Sequence, residues 1–151
     1  MKIIKLSLVI LCMLLIFSFS SDTADASTKK SDGIIIKTCE FVLGRELTEA
    51  EKEKYIDNFV FIVRKGAHFS IYMVLGLLIM SYFKELYLIN NKGLLIAFII
   101  CFLYACSDEL HQYFVPGRSS EFFDVLIDSS GSILGIYIYY FISTIRRKLH
   151  E

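Results

Sequence analysis

Four long apolar runs separated by polar stretches organise the chain: Ile3 to Phe19 (IIKLSLVILCMLLIFSF), Ala67 to Phe83, Gly93 to Ser107 and Phe122 to Ile145. A membrane-spanning helix needs about 20 mostly apolar residues, and about 17 suffice. The first, second and fourth runs meet that length. The third meets it when Asn91 and Lys92 snorkel at one end and Asp108 reaches the interface at the other. The pattern predicts an all-α integral membrane four-helix bundle, one domain over residues 1–151, with helices at about 3–20, 62–83, 92–107 and 122–145.

The polar stretch between the first two spans carries helix signals of its own. Ser31 or Asp32 can cap a helix whose stripe of Ile35, Ile36, Cys39, Val42 and Leu43 stops at Gly44. Thr48 and Glu51 form a capping-box pattern ahead of an apolar face made by Tyr55, Ile56, Phe59, Val60 and Val63. Both pieces read as short amphipathic helices on the membrane surface or on the bundle top. The second can continue without a break into the next span.

Composition fits this picture without deciding it. Hydrophobic residues make up 55% of the 151, charged residues 21%, and mean hydropathy is +0.56. An oily soluble bundle would share those figures, but runs of bilayer length favour a membrane. Net charge is zero and no basic patch interleaves with aromatics, so no nucleic-acid partner is expected. Cys12 and Cys101 lie inside apolar runs, Cys39 and Cys106 could both face the outer side with nothing to pair them, and there is no CxxC or zinc spacing.

Charge also orients the spans. Lys2 and Lys5, Lys84 and Lys92, and Arg146, Arg147 and Lys148 flank ends that the positive-inside rule places in the cytoplasm. Both termini are then cytoplasmic, and residues 21–61 and 108–121 face outward. Arg64 and Lys65 run against that bias, so topology does not explain them. Ala24-Asp25-Ala26 resembles a signal-peptide cleavage site, but the apolar run ends at Phe19, seven residues earlier, which favours retention of the first helix.

The remaining polar residues fall in phase. Arg64, His68 and Tyr72 are spaced i, i+4, i+8 above Gly76, with Lys65 on a neighbouring face. Asp108, His111 and Gln112 can share one face of the third helix, while Glu109 points elsewhere. Pro116 and Gly117 make a turn, Arg118 follows, and Ser119 or Ser120 can cap the last helix. Asp124, Asp128, Gly131 and Gly135 place two carboxylates over a Gly-x-x-x-Gly surface. Asp128 lies inside the apolar slab and needs a partner, for which Arg64, Lys65 and Arg118 are the expected sources.

A cap-and-turn reading accounts for Pro116, Gly117 and one serine, and a structural hydrogen bond accounts for His68. Neither explains so many ionisable groups beside a bilayer. All of them fall in the outer half, which argues against a path across the membrane and for a one-sided polar pocket. Its cations suit a phosphate or carboxylate. His68 or His111, oriented by Asp108 or Asp124, could act as a general base. No serine or cysteine adjoins a histidine in a nucleophile pattern, so catalysis stays open. His68, His111, Asp108, Glu109, Asp124 and Asp128 match no standard metal spacing, and the nearby arginines favour ion pairs, so neither metal nor cofactor is expected.

These residues also carry a family likeness. RKGAHFSIYMVLG followed by DELHQYFVPGRSSEFFDVLIDSSGSILG resembles the VanZ-like family of bacterial membrane proteins. The family's basic residue and histidine match Lys65 and His68, followed by Tyr72 and Gly76. Its acidic pair and glutamine match Asp108, Glu109 and Gln112, and its proline-glycine-arginine matches Pro116, Gly117 and Arg118. Its later aspartate and glycines match Asp124, Gly131 and Gly135. Asp128 stands where many relatives have asparagine, which replaces a neutral hydrogen-bonding group with an ionisable carboxyl and offsets the positive charge of the pocket. The resemblance implies a bacterial cell membrane protein linked to resistance to the lipoglycopeptide teicoplanin. Membrane lipids, with a lipid-linked envelope precursor or an amphiphilic antibiotic, are the implied partners. It implies no biochemical activity, so a membrane enzyme acting on a phosphate-bearing envelope substrate and a structural membrane partner stay as alternatives.

Overall fold

The computed structural model describes residues 1–118 and 121–149. Its helices are α1 (Lys2–Ser20), α2 (Ala24–Leu43), α3 (Glu49–Glu85), α4 (Asn91–Tyr113) and α5 (Phe122–Lys148), with no strand among the described residues. α1, α3, α4 and α5 are long and apolar enough to cross a membrane. Their outward faces are apolar too, with Leu14, Leu103 and Phe141 all exposed. Such surfaces suit a lipid surround.

Local signals explain most helix ends. Thr48 and Glu51 exchange both bonds of a capping box at the start of α3. From there α3 runs 37 residues without interruption. That is about 55 Å, well beyond a hydrocarbon core of about 30 Å, so its first turns project past the slab. α2 ends at Gly44 in the left-handed conformation, but it begins seven residues before Ser31. Thr23 caps it by accepting from the Ala26 N–H, and the Ala24 N–H reaches the Pro116 carbonyl. Ser31 lies buried inside the helix and donates to the Ser27 carbonyl.

α4 extends to Tyr113, beyond the expected end near residue 107. Asp108, Glu109 and Gln112 are buried in the bundle rather than solvated, so the polar run continues the helix instead of leaving it. Gly117 then turns the chain with φ of 78°, a conformation that costs a glycine little. The expected serine cap of the last helix falls on residues 119 and 120, outside the described residues.

α3 and α5 pack backbone to backbone. A Cβ at Gly131 would collide with the Phe69 carbonyl, one at Gly135 with the Met73 carbonyl, and one at Gly76 with the Ser132 carbonyl. This close register sets the residues above the glycines face to face. α1 seals another side through buried Val9, Cys12, Ile16 and Ser20. The Tyr104 hydroxyl donates to the Met13 carbonyl at 2.6 Å. At the far end Lys5 meets Glu85 at 2.7 Å. All four cysteines are free.

Candidate functional site

At the polar end of the bundle, α3 presents Lys65 and His68 to α5 and sets Tyr72 beside Tyr104 of α4. One turn above the glycine contacts, Lys65 forms a direct ion pair with Asp124, and Glu121 lies 4.0 Å from the same ammonium. One turn deeper, His68 Nδ1 lies 3.4 Å from Asp128 Oδ1. Asp128 is fully buried. The expected pairing of Asp128 with Arg64, Lys65 or Arg118 is therefore corrected: Lys65 is one level too high and already engaged by Asp124. Arg64 is rotated toward α1 and α2, and Arg118 is engaged elsewhere.

α4 supplies the third wall. Gln112 Nε2 lies 3.3 Å from Asp108 Oδ2 and 3.3 Å from Ser20 Oγ. Its Oε1 accepts from Arg118 Nη1 at 2.8 Å. Arg118 also donates from Nε to the Asp22 carbonyl at 3.0 Å and from Nη2 to the Phe19 carbonyl at 3.1 Å. It thus caps the carbonyl end of α1 and ties it to α4. Partial burial, with Arg64 nearby, pulls its pKa below the usual arginine value, yet three acceptors hold the guanidinium charged.

The other predicted residues take separate places. Glu109 is buried and accepts the Glu121 N–H at 3.1 Å. It places a carboxylate at the start of α5, where the helix dipole favours it. His111 turns away from Asp108 and stacks on Phe17 with ring centroids 4.4 Å apart. Its Nε2 is 3.1 Å from Ser21 Oγ, but Ser21 gives its one hydrogen to the Phe17 carbonyl at 2.8 Å. His111 is then the donor, which is not an activated serine. Pro116 and Gly117 lie at the turn, beside Ala24.

Two cavities flank this network. One of about 240 Å³ opens between α1, α2 and α3, with an apolar wall that includes Ile16, Ile34, Ala67 and Ile71 and a rim that includes Lys30, Arg64 and His68. The other, of about 260 Å³, is lined by Lys65, Gln112 and Asp124, and shares Arg64, His68 and Arg118 with the first. Lys30 is held by Asp22 at 2.5 Å. Arg64 has no hydrogen bond or ion pair among the described residues.

The sequence matches the VanZ/LLP1 family over residues 5–143. The chain belongs to the VanZ/LLP1 family. With four helices of spanning length, this family member is a multi-pass membrane protein. Neither a curated protein nor a solved structure gave a significant match.

Part of this polar network was missed in the sequence. Ser20, Ser21, Asp22 and the Phe19 carbonyl all come from the end of α1 and the link beyond it. One signal was available: Ser20 keeps step with Val9, Cys12 and Ile16 on the buried side of α1. Backbone carbonyls leave no mark in a sequence, so the Phe19 and Asp22 acceptors of Arg118 were not legible.

Proposed function

We propose that this protein lies in the bacterial cell membrane with both termini cytoplasmic and its polar end at the outer leaflet. There it binds an amphiphile with an anionic headgroup, a lipid-linked envelope precursor or a lipoglycopeptide antibiotic, and so contributes to glycopeptide and lipoglycopeptide resistance. The observation that carries the reading is Arg64, unpaired among the described residues, on the rim of a cavity with an apolar wall. An apolar wall takes an acyl or prenyl chain, and a free guanidinium takes two oxygens of a phosphate or carboxylate. Lys65 and Arg118, engaged by Asp124 and by α1, hold the rim in shape.

The test is resistance in a susceptible Gram-positive host expressing the chain, with membrane levels followed by immunoblot. Wild type raises the inhibitory concentration of teicoplanin. Arg64→Gln and Ile71→Trp, which removes the charge or fills the cavity, abolish the increase at equal membrane levels. Full resistance in both well-expressed variants contradicts the reading and leaves a structural membrane partner. A time-dependent chemical change in isolated envelope lipids, lost in His68→Gln, would favour an enzyme instead.

A further inference from the structure

The deepest part of the polar end holds a concentration of buried polar atoms that the amphiphile reading does not use. His68 Nδ1, one oxygen of Asp108 and one of Asp128 lie within 4.8 Å of one another. Asp108 is 3% exposed and Asp128 is 0% exposed. Among the described residues, both Asp128 oxygens, Asp108 Oδ1, His68 Nδ1 and the hydroxyl of fully buried Tyr72 have no hydrogen-bond partner. Tyr72 sits beside Asp108. Two carboxylates among apolar helices are costly without positive charge. Beyond the imidazole of His68 itself, the neighbouring cations do not provide it: Lys65 is on Asp124, Arg118 is on Gln112 and the Phe19 and Asp22 carbonyls, and Arg64 lines the cavities.

We propose that His68, Asp108 and Asp128, with the Tyr72 hydroxyl beside them, bind one divalent transition-metal ion, with zinc the best fit. A histidine nitrogen with two carboxylate oxygens suits zinc rather than the all-oxygen preference of magnesium or calcium. Ligands about 2.0–2.1 Å from a tetrahedral ion stand about 3.3–3.4 Å apart. The His68 to Asp128 separation of 3.4 Å already has that value, and an Asp108 oxygen lies within 4.8 Å of both. The ligand set has outer support as well. Gln112 holds the far oxygen of Asp108 and is itself held by Arg118, which orients the free oxygen inward. His68 also lines both cavities and gives the ion a route in. The inference goes beyond the amphiphile reading and does not depend on it.

The experiment uses the full chain purified in detergent, stripped with a chelator and titrated with zinc chloride or cobalt chloride. Metal content, thermal stability and the visible cobalt spectrum are recorded. Wild type takes up one equivalent, its Tm rises with zinc, and cobalt gives the strong visible band of a four-coordinate site. Asp128→Asn and His68→Gln lose at least tenfold in affinity, Gln112→Leu loses about tenfold, and Asp124→Asn, whose carboxylate pairs with Lys65 one level above the three ligands, loses far less. If the variants fail to fold, the wild-type cobalt spectrum decides alone. Absence of stoichiometric binding to wild type overturns the proposal and leaves the two carboxylates sharing a proton. Binding that survives both Asp128→Asn and His68→Gln overturns it equally.

Discussion

Asp128 of α5 faces His68 of α3 across 3.4 Å, although Arg64, Lys65 and Arg118 line the same cavity as His68. The relationship follows from the glycine register below, which fixes which levels of α3 and α5 meet. Lys65 and Asp124 occupy the level above. Removing one member of the buried pair leaves the other without compensation. His68→Leu therefore lowers stability by about 3–5 kcal/mol, and adding Asp128→Leu to it recovers most of the loss. Unfolding in mixed detergent micelles checks both variants. Additive losses in the double variant would mean that the two side chains do not depend on each other.

The glycine register makes its own prediction. A side chain at Gly135 would collide with the Met73 carbonyl, whereas nothing lies within 4 Å of a Cβ at Gly66. Gly135→Val destabilises the protein by about 1–3 kcal/mol or prevents α3 and α5 from docking. Gly66→Ala is neutral or gains up to about 1 kcal/mol from helix propensity. Thermal melting of the purified variants distinguishes them.

Arg118 predicts a difference between two cations. Its guanidinium serves Gln112, the Asp22 carbonyl and the Phe19 carbonyl at once. A lysine ammonium cannot span those three directions. Arg118→Lys therefore loses about 1.5–3 kcal/mol for each charged hydrogen bond it fails to make. Limited proteolysis between α1 and α2 accelerates, because that end of α1 is no longer tied to α4.

Glu109 is expected to act through α5. Its carboxylate accepts the Glu121 N–H at a helix start whose N-cap residue makes no side-chain cap. Glu109→Gln keeps an acceptor and costs less than Glu109→Ala. The alanine variant loses about 1–2 kcal/mol by analogy with cap removal, read as slowed protection of the first turns of α5 in hydrogen exchange.

What the sequence revealed was mostly local. The apolar runs mark the four spans, Thr48 with Glu51 marks the start of α3, and Gly44 marks the end of α2, because each signal lies within a few residues of the feature it sets. The partner of Asp128 was not legible. Arg64, Lys65 and His68 differ only by steps of rotation along α3, and nothing local says which level meets α5. α4 was cut short because SDELHQ has the composition of a solvated connection, yet Asp108, Glu109 and Gln112 are buried against other helices. The contribution of α1 was missed because much of it is backbone. Asp128 stood out in the sequence as a carboxylate inside an apolar run, and with Asp108 it makes the buried centre one of two carboxylates.

The most direct measurement is binding of a long-chain polyprenyl phosphate to the full chain in detergent, read by native mass spectrometry. The uncharged polyprenol serves as control. The account predicts that the phosphate binds wild type at one equivalent and that Arg64→Gln binds it at least tenfold more weakly, a loss of about 1.4 kcal/mol. The polyprenol binds neither appreciably. Equal binding of the phosphate by wild type and Arg64→Gln, or equal binding of phosphate and alcohol by wild type, would contradict it.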